Sequence, residues 1–347
     1  MLNESALIQL MDNIPIDRNG LNKWHDSFLH HFMIYMQDRN IHPAEIISLL
    51  IGLISINKTK LTPEHVNHNL IQLYCKSNGL TNELFSRILG EGIFSKEKLN
   101  DADENLDNIF KSTEFNGHIA KTEIDLNSIG YSHLPCELRE EVVTQLHKFA
   151  EISDYEFRDV YAPERKFSLE NPNCVMAEVK KNQIYENKLI MSIANSSLLR
   201  SFANEYLGAT PFLHNIQMWY SFPHPTGRGQ SESAQLFHYD MDGIKWVKFF
   251  IHLTDTNPET GMHCFVPGTH LVGAKNRRLL AKGYSRIEDA EMREWQSADF
   301  RYISAKAGQI VCGDTKCWHK GSELLKGKRL MLQIQYSINP FSQNYGI

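Results

Sequence analysis

The chain lacks the features that mark several large protein classes. Its 347 residues contain no Cys-x-x-Cys pair, which removes the usual frame of a structural zinc site. The six cysteines (Cys75, Cys136, Cys174, Cys264, Cys312 and Cys317) are scattered, unlike the dense spacing of a disulfide-stapled secreted fold. Buried free thiols in a reducing compartment are the expectation. No apolar run approaches the length of a membrane span, and residues 1–20 lack a cationic stretch followed by an apolar core, so the protein is expected to be soluble and cytoplasmic. Charge of one sign is also missing. With 36 Lys+Arg against 41 Asp+Glu the net charge is -5, which gives no general electrostatic case for nucleic acid or an acidic membrane. Small molecules or proteins are the expected partners. No internal repeat or low-complexity tract interrupts the chain.

What is present suffices for a large core, since 42% of residues are apolar. Across residues 21–89 apolar side chains recur at helical spacing, as in Ile47, Ile51 and Ile54 and again in Leu70 and Leu73, with Thr62-Pro63-Glu64 marking a helix start. Residues 95–107 are polar and acidic and suit a solvated helix or linker, which sets a boundary near Asn116. Amphipathic helices are expected at 137–151 and 187–207, the second closed by Gly208. From His214 onward the pattern changes to short runs at 216–222, 245–253, 263–266, 309–312 and 329–338, separated by turn signals such as Pro267-Gly268 and Gly327-Lys328. Helices followed by closely spaced strands argue for an α+β protein. Its core would be an antiparallel sandwich or open barrel, with residues 1–116 as a helical region and 117–347 as the domain that carries the chemistry.

The chemistry concentrates in Phe237-His238-Tyr239-Asp240 and, far downstream, Trp318-His319-Lys320-Gly321. Residues i and i+2 of an extended chain face the same side, so His238 and Asp240 can grip one ion together. Two imidazoles and one carboxylate on one face of an octahedron leave the opposite positions open, an arrangement suited to ferrous iron that must also hold a co-substrate and dioxygen. Along the last run, Arg329, Met331, Gln333, Gln335 and Ser337 share one face and Leu330, Leu332, Ile334, Tyr336 and Ile338 the other. Arg329 lies ten residues after His319, with Gly321 and Gly327 between to permit a hairpin, and its planar fork suits the distal carboxylate of a keto acid bound to iron. Lys248 has apolar surroundings on both strand faces and wants an anionic partner. Two readings stand for it: the same distal carboxylate, or a snorkelling cation at a strand edge.

These residues sit in an extended pattern that resembles the phytanoyl-CoA dioxygenase family of iron(II)- and 2-oxoglutarate-dependent oxygenases. The pattern runs through Gln235-Leu236-Phe237-His238-Tyr239-Asp240, Lys248-Phe249-Phe250-Ile251-His252-Leu253-Thr254-Asp255, Gly261 and Phe265-Val266-Pro267-Gly268-Thr269-His270. It ends in Gly313-Asp314-Thr315, His319-Lys320-Gly321 and the strand from Arg329 to Tyr336. The resemblance implies a double-stranded β-helix (jelly-roll, cupin-like) and makes His238, Asp240 and His319 the ligands of Fe(II). It places Arg329 on the C5 carboxylate of 2-oxoglutarate, Lys248 at a second co-substrate contact and Gln235 near the iron. The implied activity is hydroxylation of an unactivated C–H bond of a small molecule by O2, with release of succinate and CO2. Desaturation, cyclisation and epoxidation use the same cofactors and stand as alternatives, as does an inactive oxygenase fold serving as a binding module. Halogenation is disfavoured, because Asp240 fills the slot a halide would need.

Other candidates carry blander expectations. His252, His263 and His270 are expected to make structural hydrogen bonds beside a triad that is already complete. Residues 225–230 read as a flexible loop near the mouth, and Lys275, Arg277, Arg278 and Lys282 as solvated charge. Residues 1–116 match no pattern and are expected to extend the scaffold or to form a homodimer contact.

Overall fold

The computed structural model describes residues 64–83, 85–86, 106–112, 118–225, 233–283, 285–296 and 299–338. In chain order the elements are α1 (Glu64–Ser77), α2 (Leu106–Ile109), β1 (Phe110–Ser112), α3 (His118–Ser128), β2 (Tyr131–Leu138), α4 (Glu140–Ile152), β3 (Tyr155–Val160), β4 (Cys174–Val179), α5 (Lys181–Glu186), α6 (Lys188–Ala194) and α7 (Ser197–Leu207). There follow β5 (Phe212–Ser221), β6 (Trp246–His252), β7 (His263–Phe265), α8 (Arg277–Leu280), α9 (Asp289–Gln296), β8 (Arg301–Ile303), β9 (Gln309–Gly313), β10 (His319–Gly321) and β11 (Arg329–Ser337).

Eight strands form one antiparallel sheet in the order β1-β2-β9-β6-β11-β5-β4-β3, and three form a smaller one, β10-β7-β8. The alternation read in the last strand sorts its side chains as expected. Leu330, Leu332, Ile334 and Tyr336 join Ile216, Met218, Val247, Phe249 and Ile251 in the main core, beneath Leu146 of α4 and Leu199 and Phe202 of α7. The other face meets the smaller sheet, where Phe250, Val311 and Met331 pack with Phe265, Ile303 and Cys317. The chain is therefore a mixed α and β protein built on a large antiparallel sheet.

The helices obey local rules. Ser196 accepts from the Leu199 amide and so caps α7, which ends at Gly208 with φ +73, a left-handed cap that suits glycine. The single helix expected over 187–207 is broken instead, because Asn195 closes α6 and Ser196 opens α7 within two residues. Strands β1 to β4 were not anticipated. They interleave with helices, so the simple order of helices first and strands second does not hold.

Helix α1 begins at Glu64, where Thr62-Pro63-Glu64 placed it. Its Leu70, Leu73 and Tyr74 share the main core, and Asn82 just beyond it donates to the carbonyls of Gly243 (3.2 Å) and Ile244 (3.3 Å). Residues 1–63, 87–105, the boundary at Asn116 and the loop 226–232 lie outside the described residues.

Candidate iron and co-substrate site

His319 opens β10, and the backbone of His238 pairs with it as an isolated antiparallel bridge, the two exchanging N–H···O bonds of 3.0 and 2.8 Å. The Asp240 amide is held by the Thr315 carbonyl at 2.8 Å, and Thr315 in turn accepts from the Trp246 indole at 2.8 Å. This backbone lacing converts two segments eighty residues apart into one surface. The ligand-type atoms of His238, Asp240 and His319 all fall within 4.8 Å of one another. Nε2 of His238 stands 3.8 Å from one Asp240 oxygen and Nε2 of His319 3.6 Å from the other.

Each imidazole is oriented by the backbone two residues before it. Nδ1 of His238 donates to the Leu236 carbonyl and Nδ1 of His319 to the Cys317 carbonyl, both at 2.9 Å. A carbonyl only accepts, so Nδ1 carries the proton in both rings and Nε2 keeps its lone pair toward the shared point. Burial, followed by the neighbouring imidazole, holds His238 below the ordinary histidine range, and burial does the same for His319. Both are thus neutral ligands near pH 7. Burial alone would raise the Asp240 carboxyl, but Lys248 and then the two imidazoles bring it well below the usual range. Two neutral nitrogens and a carboxylate fit a divalent iron, and the three residues line a cavity among the described residues.

Lys248 finds its anionic partners within the chain. Its ammonium bridges Asp240 and Asp242, 2.7 Å from each. Neither the strand-edge reading nor the co-substrate reading describes this. The lysine orients the Asp240 carboxylate and favours its ionised form, because register sets it opposite Gln335 and Gly313 in the middle of the sheet. Asp242, two residues beyond Asp240, was missed, although the same period-two logic that joined His238 to Asp240 extends to it.

Arg329 is 7% exposed, and among the described residues no carboxylate pairs with it. Its guanidinium donates to the Gly261 carbonyl (2.8 Å) and the Ser221 hydroxyl (3.2 Å), while Nε has no partner. Burial lowers it to about 10, and no anion opposes that. A buried guanidinium left so costs stability unless an anionic ligand completes it. Two glycines make room for it: a Cβ on Gly261, whose φ is +79, would meet Nη1 at 2.9 Å, and one on Gly321 would meet Nη2 at 3.3 Å. Gly321 also lines the cavity of about 200 Å³ that opens on the triad.

Gln235 is buried with its side-chain oxygen unpartnered, and it does not line that cavity. His252 bonds Thr256 at 3.2 Å and His270 meets the Cys317 sulfur at 3.4 Å, as structural histidines should. His263 instead lines the cavity. Lys275 departs from the solvated reading, being 2% exposed and bonded to the Tyr74 hydroxyl at 2.8 Å. The described cysteines are free, Cys75 half-buried and the other five buried.

The sequence model of the phytanoyl-CoA dioxygenase (PhyH) family matches residues 126–325, more than half of the chain and the whole span from β2 to beyond β10. The chain belongs to the phytanoyl-CoA dioxygenase family. It is accordingly an oxidoreductase of the non-haem iron, 2-oxoglutarate-dependent class, and its cofactors are iron and 2-oxoglutarate. Among solved structures it is similar to the non-heme alpha ketoglutarate dependent epimerase SnoN from nogalamycin biosynthesis, at 15% identity over 63% of this chain and 82% of that one, with TM-score 0.46. It is also similar to HygX from Streptomyces hygroscopicus, solved with nickel and 2-oxoglutarate (16%, 63% and 86%, TM-score 0.44). A third is EctD from S. alaskensis with bound Fe (15%, 72% and 87%, TM-score 0.44). No curated protein matches the sequence. Among the described residues no helix is long and apolar enough to cross a membrane.

Proposed function

We propose that this family member hydroxylates an unactivated C–H bond of a small polar or apolar metabolite, with His238, Asp240 and His319 holding Fe(II) and Arg329 holding the far carboxylate of 2-oxoglutarate. The observation that carries the reading is the convergence of two Nε2 atoms and a charged carboxylate on one point at the floor of a cavity. The large sheet facing β10-β7-β8 supports a double-stranded β-helix around that point, and the division into residues 1–116 and 117–347 remains our reading of the chain.

Bound there, iron with 2-oxoglutarate and dioxygen supplies the oxidising power, and the co-substrate leaves as succinate and CO2. The protein's own residues do the rest. His238 and His319 keep their Nδ1 protons on backbone carbonyls, so neither ring turns away from the site. Lys248 keeps Asp240 ionised, and Arg329 with Gly261 and Ser221 forms a seat for one carboxylate. Phe250 and Trp219 line the space beside the triad, and Phe265 stacks on the His319 ring with centroids 5.7 Å apart.

The test is succinate release from the iron-loaded protein at graded 2-oxoglutarate. Arg329→Ala should raise the KM for 2-oxoglutarate by roughly 100-fold, since a bidentate charge-assisted pair is lost. An unchanged KM would remove Arg329 from the site.

A further inference from the structure

One wall of the cavity, whose lining does not include Arg329, is a chain of oriented polar groups. Glu178 on β4, 5% exposed, accepts from Arg158 of β3 on one oxygen and from the Gln217 amide (2.8 Å) on the other. Gln333 donates to the Gln217 oxygen at 3.1 Å, so the relay runs unbroken across three neighbouring strands, β4, β5 and β11. Its direction is fixed at every link, which presents the cavity with amide and carboxylate edges in set orientations.

A second cavity of about 370 Å³ adjoins the first, sharing Arg158, Glu178, Gln217 and Lys248 with it. Every residue that lines it is polar or charged, and Asn215, 7% exposed, has a side-chain oxygen without a partner there. An acyl chain laid along this path would strip water from these groups and return no hydrogen bond. The buried charges are answered internally, Glu178 by Arg158 and Lys248 by Asp240 and Asp242, and the other charged groups of the lining are the exposed Arg286 of the first cavity and Glu156 and Lys181 of the second. The wall asks for many hydrogen bonds at fixed angles, and Trp219 and Phe250 add flat apolar faces beside them.

We infer that the substrate is a polyhydroxylated ring compound of the sugar or cyclitol class, bound along Glu178, Gln217, Gln333 and Asn215. The inference rests on the oxygenase reading above. Hydroxyl groups both donate and accept, so they match amide oxygens, amide N–H groups and a carboxylate together, while the C–H face of the ring lies on an aromatic.

The full-length protein, anaerobic and loaded with iron(II) and 2-oxoglutarate, is titrated calorimetrically with glucose, galactose, mannose, trehalose, myo-inositol and palmitoyl-CoA. Binding of at least one polyol is expected, weakened roughly tenfold or more in both Gln217→Met and Gln333→Met, with palmitoyl-CoA silent. Response to a monosaccharide or disaccharide alone selects the sugars, and response to myo-inositol alone the cyclitols. Thermal melts confirm that each variant folds, and Asn215→Leu serves as a third variant should either fail to. The visible charge-transfer band of the iron chelate is recorded on the same samples. Binding of palmitoyl-CoA, or of no polyol, by protein that shows the band overturns the substrate class and leaves the oxygenase reading in place. Loss of the band in the glutamine variants would assign the relay to 2-oxoglutarate instead. Absence of the band in the unaltered protein would overturn both.

Discussion

Lys248 sets the electrostatics of the site at the scale of single residues. It is buried, it bridges Asp240 and Asp242, and its own protonation is reinforced by both carboxylates, which outweigh the effect of burial. Removing the ammonium takes away the largest influence that opposes burial at Asp240, so the carboxyl rises toward its ordinary range. Lys248→Met is therefore expected to bind iron(II) roughly 10- to 100-fold more weakly near pH 7. The sign of the pH effect follows. In the unaltered protein Asp240 stays ionised through mildly acid pH, whereas in the variant it takes up a proton as pH falls and competes with the metal. Iron affinity measured from pH 5 to 8 should therefore fall more steeply toward acid in the variant, and parallel profiles would show that Lys248 does not set the charge of Asp240. That His238, Asp240 and His319 come together was legible from the i, i+2 spacing of the first two and from the family motif around the third. The role of Lys248 was not, because a lone lysine does not announce its partner, and Asp242 became meaningful only once register set Lys248 opposite Gln335.

At the scale of elements, the strands with plain alternation or apolar runs were readable to within a few residues. The run expected at 329–338 is β11, Arg329–Ser337, and that expected at 245–253 is β6, Trp246–His252. Strand β3 was hidden because its Tyr155–Val160 stretch carries Glu156, Arg158 and Asp159 and remains largely exposed at the sheet edge. Strand β4 was hidden for the opposite reason, since all six of its residues are buried and Cys-Val-Met-Ala-Glu-Val shows no alternation. With them the polar relay through Glu178 also went unread. Helix α1 shows how far the oxygenase core reaches back along the chain. Its Cys75 sulfur lies 3.0 Å from the hydroxyl of Tyr239, the residue between two of the triad members, and Tyr74 packs on Tyr239 with ring centroids 5.5 Å apart. Leu73 is 1% exposed in this contact region. Leu73→Ala should cost about 2–5 kcal/mol in denaturant unfolding of the whole chain. A separate early transition for the helix, with the main transition unmoved, would show that α1 is an appendage.

At the scale of the whole molecule, two sheets and a set of covering helices bring residues more than eighty positions apart to one point and keep a cavity beside it. The near-balanced charge and the scattered free cysteines fit this picture without contributing to it. The family match covers residues 126–325, which include His238, Asp240 and His319 and end short of Arg329, whereas residues 1–63 carry no motif and fall outside the described residues. Metal content is the property on which all else depends, because the relay, the arginine seat and Lys248 serve no reaction without it. The most direct measurement is anaerobic titration of the metal-free protein with iron(II) in the presence of 2-oxoglutarate, followed by the visible band of the chelate. One iron per chain is expected, with the band absent in His319→Ala and Asp240→Ala. A band of full intensity in either variant would contradict the assignment of the triad.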